Sequence, residues 1–130
     1  MNSDDLKRRT KKFALEVIHF VESLPRGRTA EVLGRQLLRA GTSVGANYRA
    51  ACRAKSPADF ISKMGTVEEE SDECCYWCEL LIEDHVGDRA VAEALHREAN
   101  EILAISVASI NTARRGVRPN PQSAIRNPHS

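Results

Sequence analysis

The chain reads as an all-α protein, an up-down-up-down antiparallel four-helix bundle, and three observations carry that reading. Apolar residues recur in alternating steps of four and three along four long segments. Each segment boundary holds a proline, a glycine or a capping residue. Three Phe, two Tyr and one Trp in 130 residues are too few aromatics for a β-sandwich. A chain of this length builds one core, not two. Residues 1–115 are assigned to the bundle and 116–130 to a flexible basic tail.

The first helix is expected from Asp4 to Leu24. Leu6, Thr10, Phe13, Val17, Phe20 and Leu24 form its seam, and Pro25 and Gly27 break it. The second starts at Thr29 as N-cap, with Glu31 complementing the dipole, and runs to Ala54. Leu37, Leu38, Ala40, Gly41, Val44, Gly45, Tyr48 and Cys52 stand at core-compatible spacings. Helix propensity is poor over Gly41 to Gly45. Either a kink sits there or, the preferred reading, Gly41, Gly45 and Ala46 let another backbone approach closely.

Ser56 as N-cap, Pro57 at the first helical position and Asp59 three residues after the cap start the third helix. Its seam is Phe60, Met64, Val67, Ser71, Cys74, Cys78, Leu81 and His85, closed by Gly87. Asp88 caps the fourth helix. There Ala92, Leu95, Ala99, Ile102, Leu103, Ser106, Ile110 and Ala113 form a narrower stripe ending near Arg115. The proline-rich remainder offers almost nothing to bury and reads as a flexible tail, made cationic by Arg114, Arg115, Arg118 and Arg126.

A net charge of +1 conceals strong segregation. Lys7, Arg8, Arg9, Lys11 and Lys12 make the first helix basic. Arg35, Arg39, Arg49 and Arg53 form a rail on one face of the second, about 27 Å long at 1.5 Å per residue. Glu68, Glu69, Glu70, Asp72, Glu73, Glu79, Glu83 and Asp84 then follow with no Lys or Arg among them. Two readings stand: neighbouring helices pair these charges within or between subunits, or the rail meets nucleic-acid phosphates. No apolar run approaches the roughly 18 residues of a membrane span, and the amino terminus lacks a secretory signal. A cytoplasmic location is expected.

The chemical motifs weigh against an enzyme. Glu16–His19 and Glu93–His96 repeat the Glu-x-x-His spacing of di-iron bundles. The first pair nevertheless faces away from the Phe13–Val17–Phe20 seam, and Glu93 falls outside the Leu95–Ile102 stripe. Cys74, Cys75 and Cys78 include a Cys-x-x-Cys pair, but on a continuous helix Cys74 and Cys78 read as small core hydrophobes, with Cys75 flanking the seam. Gly41–Gly45 lacks the lysine of a phosphate-binding loop. No cofactor and no metal are expected.

Gln36-Leu37-Leu38-Arg39, Thr42-Ser43-Val44-Gly45-Ala46-Asn47 and the acidic run after Val67 resemble the bacterial four-helix-bundle proteins encoded in intervening sequences of 23S rRNA genes, over residues 5 to 115. Many relatives carry an acidic-glycine pair after the asparagine matching Asn47, where Tyr48, Arg49, Ala50 and Ala51 stand here. The resemblance implies a homo-oligomeric ring, a pentamer, without established catalysis. The accessory proteins of diversity-generating retroelements are similar bundles that bind nucleic acid and a reverse transcriptase.

The resulting expectation is a non-enzymatic, ring-forming bundle that binds RNA or DNA through Arg35, Arg39, Arg49 and Arg53, with Lys7, Arg8 and Lys11. The alternative is a protein-interaction scaffold, accessory to a nucleic-acid enzyme for example, in which Glu69, Glu70 and Glu73 hold a basic protein partner or a neighbouring subunit. A metal-dependent oxidoreductase built on His19 and His96 is the third class.

Overall fold

A computed structural model describes residues 1–117, and the expected tail from residue 118 onward lies outside them. Among the described residues four helices follow one another: α1 (Ser3–Glu22), α2 (Arg28–Cys52), α3 (Pro57–Glu83) and α4 (Arg89–Val117). The connections are five residues or fewer, which folds each helix back along its predecessor. α1 packs on α2, α2 on α3 and α3 on α4, while α4 closes the bundle against α1 through its loosest seam.

The core is the seam the sequence predicts. Phe13, Val17, Leu37, Val44, Met64, Val67, Leu81 and Ile102 are fully buried. Each such side chain contributes roughly 1.5–3 kcal/mol relative to an exposed one. Three hydroxyls inside this core bond carbonyls one turn earlier: Thr10 to Leu6, Ser71 to Val67 and Ser106 to Ile102, at 2.9, 2.7 and 2.8 Å. Burial therefore leaves none of these hydroxyls without a partner. Cys52 departs from the expectation, because it lies exposed in the last turn of α2.

α2 is continuous through Gly41–Gly45. Gly41 and Gly45 face α1 at Val17 and Thr10, so close approach, the preferred reading, is what the helix uses these two glycines for, whereas Ala46 is exposed.

The helix ends correct several details. α1 begins earlier than expected, because Asn2 and Asp5 form a reciprocal capping box. α2 starts at Arg28 and not after Thr29. Its cap is Gly27, whose φ of 153° suits a residue without Cβ, and no side chain bonds the first amides. Ser56, Pro57 and Asp59 start α3 as expected, with the Ser56 hydroxyl accepting from the Asp59 amide at 3.0 Å.

α3 ends before Gly87. The Val86 amide donates to the Leu81 carbonyl at 2.9 Å and the His85 amide to Ile82 at 3.1 Å. This is a Schellman closure with His85, at φ 57°, in the left-handed position that glycine usually fills. His85 is consequently exposed and not part of the seam. Asp88 caps α4 by accepting from the Val91 amide, and α4 runs two residues past Arg115.

Candidate nucleic-acid interface

The arginine rail lies on the outer face of α2, and its two halves have different electrostatic surroundings. Arg35 bonds Glu31 one turn earlier at 3.0 Å, with both side chains about two-thirds exposed. Such a pair is worth about 0–1 kcal/mol. Arg39 reaches across to α3, where its Nη1 donates to Glu70 Oε2 at 2.9 Å and its Nη2 donates to Glu73. The Glu70 side chain is only 11% exposed, so Arg39 neutralises a carboxylate that water barely reaches. Hydrogen bonding to Glu70 in turn raises the Arg39 pKa further above its ordinary value.

Arg49 and Arg53 are exposed and have no carboxylate within salt-bridge distance among the described residues. The register set by Val17 on Gly41 and Thr10 on Gly45 brings α1's first half beside this end of α2. There Lys7 and Lys11 of α1 meet Arg49 and Thr42 of α2 across a groove of about 240 Å³. Ala14, Thr10, Gly45 and Ala46 complete its lining, and no carboxylate contributes to it. A groove floored by small side chains and walled by three cations suits an anion approaching from solvent.

The remaining basic residues of α1 divide. Arg8 bonds Asp5 one turn earlier. Arg9 is a strut between helices: its Nε and Nη2 bond both oxygens of Glu98 at 2.6 and 2.8 Å, and Nη2 lies 3.1 Å from Glu101. Lys12 is exposed. The sequence placed Lys7, Arg8, Lys11 and the four arginines in one set. The structure gathers Lys7, Lys11 and Arg49 in one groove, sets Arg53 one turn beyond, and pairs Arg8, Arg35 and Arg39 with carboxylates of the same chain. Thr42 and Gly45 are not legible as groove residues in the sequence, because their role depends on helix register. The four-residue step from Lys7 to Lys11 was the available signal.

The acidic side of the molecule is likewise divided. Glu70 and Glu73 are held by Arg39, whereas Glu69, Asp72, Glu79 and Glu83 are exposed along α3 with Tyr76 between them. Glu79 also bonds His96 Nε2 at 2.8 Å.

The polar groups of the Thr42–Asn47 stretch serve the helix itself. Thr42, Ser43 and Asn47 donate to the carbonyls of Leu38, Arg39 and Ser43 at 2.8, 2.7 and 2.9 Å. Cys74 and Cys78 are buried as read from the sequence, and Cys75 is buried beside them. Burial raises all three thiol pKa values, to about 11 for Cys75 and about 12 for Cys78. Among the described residues no three His, Cys, Asp or Glu side chains converge as a metal site. Glu16 and His19 line an α1/α4 groove with Phe20, Val91 and Leu95, whereas Glu93 pairs with Arg89. No described helix is long and apolar enough to cross a membrane.

Comparison with known proteins agrees with this architecture. A crystal structure of a protein with unknown function from the S23 ribosomal protein family of Bacteroides thetaiotaomicron superposes with a TM-score of 0.77. It shares 33% identity and aligns over 85% of this chain and 99% of its own. No functionally curated protein matches the chain. The family model described as 23S rRNA-intervening sequence protein matches residues 4–108. The chain belongs to the 23S rRNA-intervening sequence protein family.

Proposed function

We propose that the protein is a non-enzymatic, ring-forming helical bundle that binds the sugar-phosphate backbone of RNA or DNA. The observation that carries this reading is the groove where Lys7, Lys11 and Arg49 converge with no carboxylate in its lining. Phosphate contacts of this kind position a nucleic acid without reading its bases, and they release condensed counterions. Tyr76, the most exposed of the aromatic side chains, stands among the carboxylates of α3, so stacking platforms play no part. The ring is a homo-oligomer, taken as a pentamer from the family resemblance, and it multiplies the number of phosphates held at once.

Fluorescence anisotropy with a structured RNA and a duplex DNA over a salt series tests the reading, with the mass in solution measured in parallel. The expected result is binding whose log–log salt slope falls by about 2 when Lys11 and Arg49 are both changed to Glu. Absence of binding at low salt sinks the proposal. The second reading, a scaffold for a basic protein partner, rests on the exposed Glu69, Asp72, Glu79 and Glu83. It gains if exchanging Glu69 and Asp72 for Lys abolishes capture of a polylysine probe while nucleic-acid binding is absent.

A further inference from the structure

The topology sorts charge along the bundle axis as well as across its faces. α1 and α3 start at the end of the bundle where α2 and α4 finish, as connections of five residues or fewer and the antiparallel register of Gly41 on Val17 and Gly45 on Thr10 require. With each helix divided at its midpoint, residues 1–12, 41–70 and 104–117 share that end. Eleven Lys and Arg stand there against six Asp and Glu, while the opposite half holds six against twelve. Over residues 1–117 the net charge of −1 is thus the cancellation of about +5 by about −6, and Arg118 and Arg126 bring the whole chain to +1.

Apart from the pairs that cross this division, Arg9 with Glu98 and Glu101 and Arg39 with Glu70, that cancellation does not operate locally. α4 spans 29 residues, about 44 Å, so the centres of the two halves lie roughly 20 Å apart. Ions at physiological strength screen charges beyond about 8 Å. A polyanion at one end therefore meets a cationic surface whose acidic counterpart is screened away, and the distant carboxylates serve only to orient its approach. The helix dipoles add little, since two amino termini and two carboxy termini meet at this end.

Side chains remote in sequence complete the surface. Ala51, Cys52, Ala54, Ser56, Pro57, Phe60, Ala113 and Gly116 line a groove of about 480 Å³, which fixes the end of α4 beside the α2–α3 connection. Arg53 and Lys55 flank Ala54 on this connection, and Arg114 and Arg115 lie between Ala113 and Gly116 in the last turn of α4. All four are exposed and have no carboxylate within salt-bridge distance among the described residues. Asp59, the nearest acid on α3, is engaged by Lys63 at 2.9 Å.

Building on the nucleic-acid reading above, we infer that the phosphodiester backbone crosses the cationic end of the bundle, over Lys11, Arg49, Arg53, Lys55, Arg114 and Arg115, and does not run along α2. The end is about 20 Å across, two helices side by side, and spans about six phosphate steps of one B-form strand at ~3.4 Å each. Arg35 and Arg39, which the along-α2 path needs, are neutralised by Glu31, Glu70 and Glu73. Arg39 is on this view a positioning residue for α3, not a phosphate contact.

Two variants of the full chain separate the paths and a third, Arg49→Glu, tests the groove, each measured by anisotropy with a labelled RNA hairpin and a labelled DNA duplex over a salt series. One carries Lys55→Glu, Arg114→Glu and Arg115→Glu; the other carries Arg35→Gln alone. The altered positions are exposed, and circular dichroism checks that the helices persist. The end variant is expected to lose at least tenfold in affinity and two to three units of salt slope, with Arg35→Gln within twofold of the parent. Loss with Arg35→Gln and none with the end variant overturns the crossing path. If only Arg49→Glu weakens binding, the groove reading survives and the crossing path fails. If the parent protein binds neither probe, the nucleic-acid reading fails first.

Discussion

Gly41 lies directly against Val17: a Cβ built on Gly41 would stand 2.9 Å from both γ-carbons of that valine. The α1–α2 seam closes because this position has no side chain.

Gly41→Ala sets two effects in opposition. Helix propensity gains up to about 1 kcal/mol, and overpacking a closed core costs about 1–3 kcal/mol. Val17 is fully buried and cannot swing away, so the clash wins. Gly65, on α3, has nothing within 4 Å of a built Cβ and keeps the propensity term alone. Urea denaturation should show Gly41→Ala destabilised by roughly 1–2 kcal/mol and Gly65→Ala stabilised by about 0.5–1 kcal/mol. Equal signs for the two would refute the close-approach account.

Arg9 and Glu98 bridge the loosest seam of the bundle, each side chain 24% exposed. A cycle of Arg9→Met, Glu98→Gln and the double change should report a coupling of about 1–2 kcal/mol by denaturation, above the 0–1 typical of exposed pairs. A coupling near zero would mean that α4 is held on α1 by apolar packing alone.

The buried thiols give stability a pH dependence of known sign. Cys78 is raised to about 12 by burial and Cys75 to about 11, against about 8.5 in an unfolded chain. Above pH 8.5 the unfolded state releases these protons first, so stability present at neutral pH is lost progressively toward pH 11. Each thiol contributes a slope approaching 1.4 kcal/mol per pH unit within that window. Denaturation midpoints at pH 7.5, 9 and 10 should fall in the parent and fall less steeply in Cys78→Ala. Under native conditions a maleimide should label one thiol of four quickly, the exposed Cys52.

At the end of α3, His85 takes φ 57° without the freedom of glycine, at a cost of about 1–2 kcal/mol. His85→Gly should raise stability by up to about 1 kcal/mol after its extra chain entropy is counted. Gly87→Ala should do the reverse, since φ is 84° and a Cβ would meet Leu24 Cδ2 at 2.6 Å. Thermal melts of the two variants should shift in opposite directions.

The sequence by itself determined the number of helices, the core faces of all four and the start of α3. Those features follow from local periodicity and from side chains that bond their own backbone, as Ser56 and Asp88 do. It misplaced the start of α2 and the end of α3, where Gly27 and His85 act through backbone conformation with no side-chain cap to read. Only the tertiary structure decided which cations remain available. Arg39 and Arg49 look alike on a helical wheel, yet one meets Glu70 from a neighbouring helix and the other meets Lys7 and Lys11 across a groove. The gathering of Lys7, Arg53 and Arg114 at one end likewise joins residues about a hundred positions apart. Charge interactions depend on distance in space, which helix register and antiparallel packing set and sequence separation does not.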